Sequence, residues 1–543
     1  MKKSILSKIL CSWLFSCGIL FPYHAVAEAD GQESTASIYA AEGWLAKSLP
    51  ELAEALRTGA VSSEALVEAY LARIGRIDQA GPTLQSVLTL NPNALAEARA
   101  LDQRRMAGET LGPLHGLPLL LKDNIETKDA MATTAGALAL KENVTGRDSP
   151  LTAGLRNAGA IILGKTNLSE WANFRSENSM SGWSALGGQV RNPHMLDRNP
   201  CGSSSGSGAA IAASLAAGAV GTETSGSIIC PATVNGIVGF KPTVGLVSQK
   251  YIIPISSSQD TAGPMTKTVQ GAAMMLDAMS TGAAKTDYSK SLDASSLQGT
   301  RVGVLRFAEG SSAQVKALFE AALAAMAAAG AELVDIEKFE PEGDNYDDDT
   351  YSVLKYEFKH TLNEYLAATP PSVKTRTLAE LIAFNIEHAA IELALFDQGI
   401  FEQSEALGGI DDPAYIEART HVQRATRERG IDRLMQENDV RVLVAPSGVM
   451  SPRIDPVNGD VWPAWAGAGE LAAVAGYPHL TVPMGSVKNL PIGISFIAGK
   501  DQDAAILSYG FAFEQATRLR PEPEYYQSAE DRNDVAAAMK SKQ

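Results

Sequence analysis

The fold is decided by residues 199–248, which read NPCGSSSGSGAAIAASLAAGAVGTETSGSIICPATVNGIVGFKPTVGLVS. A Gly/Ser loop opens the stretch, the Ala-rich run Gly208–Ala217 predicts a buried helix, and a second Gly/Ser turn follows at residues 224–227. Glycine loses more conformational freedom on folding than any other residue, so such a run carries an entropic cost. We therefore predict a ligand or reaction site here, with one serine-bearing turn on each side of the helix.

In both turns, unpaired backbone N–H groups could bind a negatively charged group. The N-terminus of a helix presents unpaired N–H groups, so the loop Gly202–Ser207 can hold an anion or polarise a hydroxyl. No lysine follows it as a phosphate-binding loop requires. The small residues of the second turn allow four amide N–H groups to point at one spot, as an oxyanion hole needs. These are the amides of Thr224, Ser225, Gly226 and Ser227.

Three lysines follow apolar runs that predict buried strands: Lys122 after Leu114–Leu121, Lys165, and Lys241. Burial disfavours an ammonium ion and lowers the pKa of its amine, which makes a neutral base available. The local pattern does not single out one of the three.

The two turns and the segment GFKPT resemble the signature of the amidase signature family, serine hydrolases that cleave neutral amides with a Ser-Ser-Lys triad. The resemblance implies that Ser227 is the nucleophile, Ser203 the bridging serine and Lys122 the catalytic lysine. One departure is Ser225, which stands where many family members have glycine. A side chain there disfavours a positive φ angle.

The same resemblance implies an α/β fold, the amidase signature fold, in which helices cover both faces of a large mixed central β-sheet. We expect this domain at about residues 45–520, with its signature core at about 115–265. A helical region at about 340–437, where the family varies most, is expected to shape the substrate cleft. Residues 521–543 are predicted to form a polar, loosely held tail.

Trp171 and Asn173 fall where family members line the substrate channel, so the resemblance implies that both bind substrate. A packing role for Trp171 in the core is the alternative.

Composition excludes several classes of protein. The 543 residues are 45% hydrophobic and 20% charged, which is typical of a globular chain and not of a disordered one. The formal net charge of −16 opposes binding to nucleic acid and to anionic membranes.

The first 27 residues predict a cleaved secretory signal. Lys2, Lys3 and Lys8 form a basic head, Ile9–Phe21 an apolar run, and Ala25–Ala27 a small-x-small cleavage site. We expect an exported protein, periplasmic or secreted, without stable membrane association after cleavage. A membrane anchor, which needs roughly 20 apolar residues, and a lipoprotein anchored at Cys17 are the alternatives.

Export leaves two cysteines, Cys201 and Cys230, each within three residues of a proposed catalytic serine. We predict two buried thiols; a disulfide, which an oxidising compartment permits, is the alternative.

No histidine lies within residues 199–248, although His115 and His194 could approach the serines in space, so a Ser/His/Asp arrangement stays open. No HExxH motif or paired His/Cys spacing indicates a metal site. The resemblance implies no cofactor.

Within the family the chain looks most like bacterial peptide amidases, on the strength of NPCGSSSGSGAA, KPTVGLVS and SQDTAGPM. This implies hydrolysis of the C-terminal carboxamide of peptides to the free acid and ammonia. The alternatives are an amidase for fatty acyl, aryl or small aliphatic amides, and a catalytically inactive protein that binds ligands in the same cleft. A third is the family's tRNA-dependent amidotransferase subunit, which the export signal argues against because that chemistry is cytoplasmic.

Overall fold

The structure, a computed structural model, describes residues 42–109, 111–281, 286–340, 343 and 345–541. The predicted signal sequence at residues 1–27 lies outside this part of the chain. No helix among the described residues is long and apolar enough to cross a lipid bilayer.

An eleven-stranded sheet forms the centre of the molecule. Its strands are β1 (Val87–Leu90), β2 (Pro118–Lys122), β3 (Ile161–Thr166), β6 (Gly218–Glu223), β7 (Val238–Lys241), β8 (Thr261–Thr266), β9 (Arg301–Leu305), β10 (Glu332–Ile336), β11 (Val442–Pro446), β12 (His479–Val487) and β13 (Leu490–Ile497). A separate short hairpin joins β4 (Trp183–Ser184) and β5 (Gly188–Gln189).

The strands of the large sheet lie in the order β1-β3-β2-β6-β8-β7-β12-β13-β11-β9-β10. Strand β2 runs parallel to both β3 and β6, and β9 runs parallel to β10 and β11. The strands between these two groups pair antiparallel, as does β1 at the edge. The sheet is therefore mixed, as predicted.

Helices cover the sheet and confirm the predicted α/β class. They are α1 (Leu49–Thr58), α2 (Ser63–Arg73), α3 (Ala94–Met106), α4 (Pro150–Asn157), α5 (Ser205–Ala212), α6 (Ile229–Val234), α7 (Val269–Met279), α8 (Ala313–Ala328), α9 (Tyr346–Ala367), α10 (Leu378–Glu387), α11 (Ala389–Glu392), α12 (Gly399–Glu405), α13 (Pro413–Thr426), α14 (Asp432–Glu437), α15 (Gly469–Ala475), α16 (Asp503–Thr517) and α17 (Asn533–Met539). Six of them, α9 to α14, fall within the region at 340–437 that the sequence predicts to be helical.

Helix α5 begins and ends earlier than the predicted run Gly208–Ala217. It begins at Ser205, directly behind the serine loop. It ends at Ala212 because Ser214 takes a left-handed φ of 58° and turns the chain toward β6. The alanines that follow belong to this connection, which composition alone does not distinguish from helix.

The predicted loose tail at residues 521–543 is held at its start. Tyr525 N donates to Pro193 O at 3.0 Å, and Leu196 N donates to Tyr526 O at 2.7 Å. The Tyr525 hydroxyl also accepts a hydrogen bond from Arg73 at 3.3 Å. This part of the tail packs against the segment that leads into the serine loop.

Candidate active site

Lys122 ends strand β2 with its side chain completely buried. Its Nζ donates to Ser203 Oγ at 2.7 Å, to Thr222 Oγ1 at 2.9 Å and to Thr222 O at 3.3 Å. Asn124 Nδ2 donates to the same Thr222 hydroxyl at 2.9 Å. Because β2 and β6 are parallel neighbours, their carboxyl ends bring Lys122 and Thr222 to the same edge of the sheet.

The electrostatics around Lys122 favour its neutral form. Burial lowers the pKa of its amine to about 7, against the opposing effect of the Asp260 and Glu223 carboxylates. Its hydrogen-bond partners in the described chain are hydroxyls and a carbonyl, not carboxylates. The neutral amine has two N–H groups and one lone pair, so in this form the Ser203 hydroxyl donates to Nζ across the 2.7 Å contact, and Nζ can accept its proton.

The two serine turns pack against each other. Ser204 N donates to Ser227 O at 3.2 Å, so the loop that carries Ser203 is joined to the turn that carries Ser227. Both serines are buried, and the Gly202–Ser203 peptide bond is cis. The structure thus brings all three predicted residues to one place. Their roles as nucleophile, bridge and base stay predictions.

The predicted oxyanion turn leaves its amides unused. Within the described residues, the backbone N–H groups of residues 224–227 donate to no protein acceptor. The turn is fixed on both sides instead, because Glu223 Oε2 accepts hydrogen bonds from Ile228 N at 2.7 Å and Ile229 N at 3.0 Å. The positive φ of the turn, 79°, falls on Gly226 and not on Ser225. The side chain at Ser225 therefore meets no backbone conflict.

A disulfide joins Cys201 to Cys230, so the prediction of two thiols is wrong. The Cα atoms of the two cysteines lie 5.9 Å apart, within the range that a disulfide spans. Cys201 precedes Ser203 by two residues and Cys230 follows Ser227 by three. The bond therefore links the two serine turns covalently, a proximity that depends on how the turns pack and is not visible in local sequence.

A cleft of about 550 Å³ opens beside the turns. Gly202, Ser225 and Gly226 form part of its wall, together with the disulfide. Another part of the wall comes from chain segments distant in sequence, which follow β11 and form β12 and β13. This volume lies within the range of small-molecule and peptide sites.

Of the two predicted substrate-binding residues, Asn173 lines this cleft and Trp171 does not. Asn173 Nδ2 donates to Ser181 Oγ at 3.1 Å, while its Oδ1 is buried without a partner in the described structure. Trp171 is buried and packs edge-to-face on Phe401 with ring centroids 5.7 Å apart. Its position is that of a packing residue, the alternative that the sequence leaves open.

The two rival lysines are buried but placed differently. Lys165 Nζ donates to Ile125 O and to Thr133 Oγ1 at 2.9 Å, and lies 3.6 Å from the Asp123 carboxylate. Lys241 Nζ donates to the Pro242 carbonyl at 3.3 Å, and burial lowers its pKa to about 8. Neither contacts Ser203 or Ser227 through a hydrogen bond.

His115 and His194, the two histidines that could approach the serines, do not complete a Ser/His/Asp arrangement at the turns. His115 Nε2 lies 3.0 Å from Leu101 O, and His194 Nε2 lies 3.0 Å from Asn235 O. In the described part of the chain, no group of three or more His, Cys, Asp or Glu side chains is arranged to hold a metal ion.

Three residues at the site were not predicted as functional. Thr222 accepts hydrogen bonds from the amine of Lys122, and Asn124 Nδ2 donates to the same Thr222 hydroxyl. Asp260 accepts hydrogen bonds from Thr224 Oγ1 at 2.6 Å and from two backbone amides. Burial raises the pKa of the Asp260 carboxyl to about 6. Asn124 stands two residues after Lys122, which is the only local signal; the positions of Thr222 and Asp260 depend on the pairing of β6 with β8.

Comparison with known proteins places this geometry in a family. A family model described as Amidase matches residues 65–507. A probable amidase of Arabidopsis thaliana is 36% identical over 487 residues, which cover 86% of this chain and 89% of the plant protein.

Solved structures give the same result. The native peptide amidase of Stenotrophomonas maltophilia is 43% identical, with a TM-score of 0.83, over 88% of this chain and 99% of that one. A peptide amidase in complex with the competitive inhibitor chymostatin is 44% identical, with a TM-score of 0.84 and the same coverage.

Proposed function

The chain belongs to the amidase signature family, and from that premise we propose that it hydrolyses the C-terminal carboxamide of peptides to the free acid and ammonia. It is an amidase, a hydrolase of amide bonds. The observation that carries the proposal is the 2.7 Å hydrogen bond from buried Lys122 to Ser203, beside a turn with free amides.

In the proposed mechanism, neutral Lys122 accepts the proton of Ser203 as Ser203 takes the proton of Ser227. Ser227 Oγ then attacks the amide carbon, and the amides of residues 224–227 bind the oxyanion that forms. Ser203 returns a proton to the leaving nitrogen, which departs as ammonia and leaves an acyl ester on Ser227. Water attacks that ester by the same proton path and releases the carboxylic acid.

The choice of a peptide substrate is supported by two observations. The wall of the cleft carries the hydroxyl groups of several serines and the side-chain amide of Asn173, which suit the polar backbone of a peptide. The two peptide amidases cover this chain at more than 40% identity. An amidase for fatty acyl, aryl or small aliphatic amides would share the same catalytic residues.

The test is ammonia release from a peptide carboxamide, with mass spectrometry of the product. We expect replacement of the terminal NH₂ by OH, without internal cleavage, and its loss in Ser227→Ala. Ser312→Ala, which removes the N-terminal cap of distant helix α8, is the matched control and should retain activity. Hydrolysis of simple amides alone would refute the peptide substrate, and full activity in Ser227→Ala would refute the nucleophile.

We also propose that the protein is exported. The pattern of residues 1–27 supports this, and so does the disulfide, because disulfides form and persist in oxidising compartments. N-terminal sequencing of the mature protein is expected to begin at Glu28; an intact N-terminus in a cytoplasmic fraction would refute export.

A further inference from the structure

The part of the cleft wall at β11, β12 and β13 carries polar side chains that the proposed mechanism does not use. They are Ser447, His479 and Ser495, all buried and all lining the cleft. Strands of a central sheet are usually filled with apolar residues on a buried face, so three polar residues here require an explanation.

Strand pairing puts these side chains on one face of the sheet. Ser495 of β13 is paired with Thr481 of β12 and with Ala445 of β11. Side chains alternate between faces along a strand, so His479 shares the face of Thr481, and Ser447 shares that of Ala445. Helix α6, which begins two residues after Ser227, packs on this face, where Thr233 Oγ1 accepts a hydrogen bond from Gly493 N at 2.7 Å.

The hydroxyl groups form a chain that ends at the histidine ring. Thr481 Oγ1 lies 2.6 Å from Ser447 Oγ, Ser447 Oγ lies 2.9 Å from Ser495 Oγ, and Ser495 Oγ lies 2.7 Å from His479 Nε2. Each hydroxyl has one proton to donate. If each hydroxyl donates its proton in the direction from Thr481 to His479, every hydroxyl proton has an acceptor among the described residues. In the opposite direction the Thr481 proton has none.

The direction of these hydrogen bonds determines which imidazole nitrogen carries the proton. Nε2 of His479 accepts from Ser495, so the proton of the neutral ring stands on Nδ1. Burial, reinforced by the positive charge of Lys241, lowers the pKa of His479 to about 3, so the ring stays neutral at working pH. Nδ1 is buried and has no hydrogen-bond partner in the described structure.

Gly469, the first residue of α15, lies beside the His479 ring in the wall of the cleft. A Cβ atom at this position would lie 2.9 Å from His479 Cε1 and 3.4 Å from Nδ1. Gly469 itself lines the cleft. A side chain at position 469 would therefore press on the ring beside the unpaired Nδ1–H group.

We propose that the Nδ1–H group of His479 donates a hydrogen bond to a peptide carbonyl oxygen of the substrate, on the acyl side of the scissile amide, and so selects peptide amides over simple amides. The inference rests on the proposed function and deepens it. A peptide amide carries further carbonyl groups beyond the one that is attacked, whereas an aliphatic amide carries none. A buried donor that is left unpaired penalises the ligand that lacks an acceptor.

The first test compares two variants that each keep one side of the ring. His479→Asn keeps a donor near the position of Nδ1, and His479→Gln keeps a polar group near Nε2 for Ser495. The readout is the ratio of kcat/KM for N-acetyl-alanyl-alaninamide to that for an aliphatic amide of similar length. We expect His479→Gln to lower this ratio about three- to tenfold, the size of one neutral hydrogen bond, and His479→Asn to retain most of it.

A purely structural role predicts the reverse, because the contact with Ser495 would then matter more than Nδ1. An equal effect of both variants, or none, would overturn the proposal. His115→Gln removes another buried histidine, away from the cleft, and should leave the ratio unchanged. Gly469→Ala, which retains the histidine and covers Nδ1, should lower the ratio as His479→Gln does.

A binding measurement separates this inference from the proposed function. In a Ser227→Ala background, calorimetry with N-acetyl-alanyl-alaninamide should give a Kd about three- to tenfold higher after His479→Gln. If the wild-type protein does not hydrolyse that peptide, the proposed function fails, and the Kd comparison still decides the role of His479. An unchanged Kd would overturn it.

Discussion

Lys122 is the last residue of β2, and Lys165 is the last but one of β3, its parallel neighbour. The side chains of both are fully buried. Lys165 lies 3.6 Å from the Asp123 carboxylate, whereas Lys122 contacts a serine hydroxyl, a threonine hydroxyl and a carbonyl. Burial lowers the pKa of both amines. The two amines are therefore both buried, and they differ in whether a carboxylate lies in direct contact with the Nζ atom.

This difference separates a proposed base from a structural cation. A buried ammonium next to a carboxylate can stay charged, because each ion offsets the desolvation cost of the other. A buried amine whose hydrogen-bond partners are all neutral has a lower free energy in its neutral form. Each of the following predictions tests one half of this contrast.

The largest effect is expected for Lys122→Met. Without a base for Ser203, kcat/KM should fall by about 10⁴-fold or more, as for other members of a catalytic triad. Stability should change by only about 1 kcal/mol, because no buried ion loses its partner. Kinetics with a peptide amide and urea denaturation measure the two quantities. A variant that unfolds, or that retains more than a tenth of the activity, would contradict the assignment.

Lys165→Met, by contrast with Lys122→Met, should mainly lower the stability of the protein. It leaves the Asp123 carboxylate buried without its cation, at a cost of about 3–5 kcal/mol in the free energy of unfolding. The control is Lys165→Met combined with Asp123→Asn, which removes the uncompensated charge and should recover part of the loss. Urea denaturation of both variants gives the comparison, and equal stability of the two would argue against the ion pair.

The pH profile tests the neutral state of Lys122. Its pKa of about 7 predicts that kcat/KM rises about tenfold per pH unit below 7 and levels off above it, because only the deprotonated amine accepts a proton. Asp260, whose own pKa is raised to about 6, could produce a similar limb.

Asp260→Asn distinguishes the two groups. Its carboxylate raises the pKa of Lys122, so the variant should shift the rising limb to lower pH without abolishing it. A limb that disappears would assign the titration to Asp260 instead.

The smallest effects are expected for the two threonines whose hydroxyls accept a hydrogen bond from Lys122 or Lys165. Thr222→Val and Thr133→Val each remove one hydroxyl that lies 2.9 Å from a buried Nζ, worth about 1 kcal/mol. We expect Thr222→Val to lower kcat/KM severalfold, and Thr133→Val to lower the unfolding free energy with little change in activity. Equal kinetic effects would show that Thr222 does not position the amine.

Local sequence patterns predict the two strands but not which of the two lysines contacts a carboxylate. The apolar runs before Lys122 and Lys165 predict buried strands, and β2 and β3 are found there. Which lysine has an anion depends on Asp123, which follows Lys122 in sequence but ion-pairs with Lys165. Only the resemblance to the family signature points to Lys122.

Long-range packing accounts for the other features that the sequence did not predict. The disulfide requires that two turns on opposite sides of α5 meet, and the hydroxyl chain at His479 requires the pairing of β11, β12 and β13. Helix α5 ends early because of the backbone angle of one serine, Ser214. None of these has a signal within a window of neighbouring residues.

The order of the strands also determines when the site can form during translation. Lys122, Ser203 and Ser227 leave the ribosome well before β12, whose His479 pairs with Lys241 of β7. A nascent chain that stops before β12 carries the proposed triad, but its sheet is open at β7 and its cleft lacks one wall. If the proposed mechanism holds, amide hydrolysis therefore belongs to the completed polypeptide, because a growing chain holds the proposed triad before its cleft is complete.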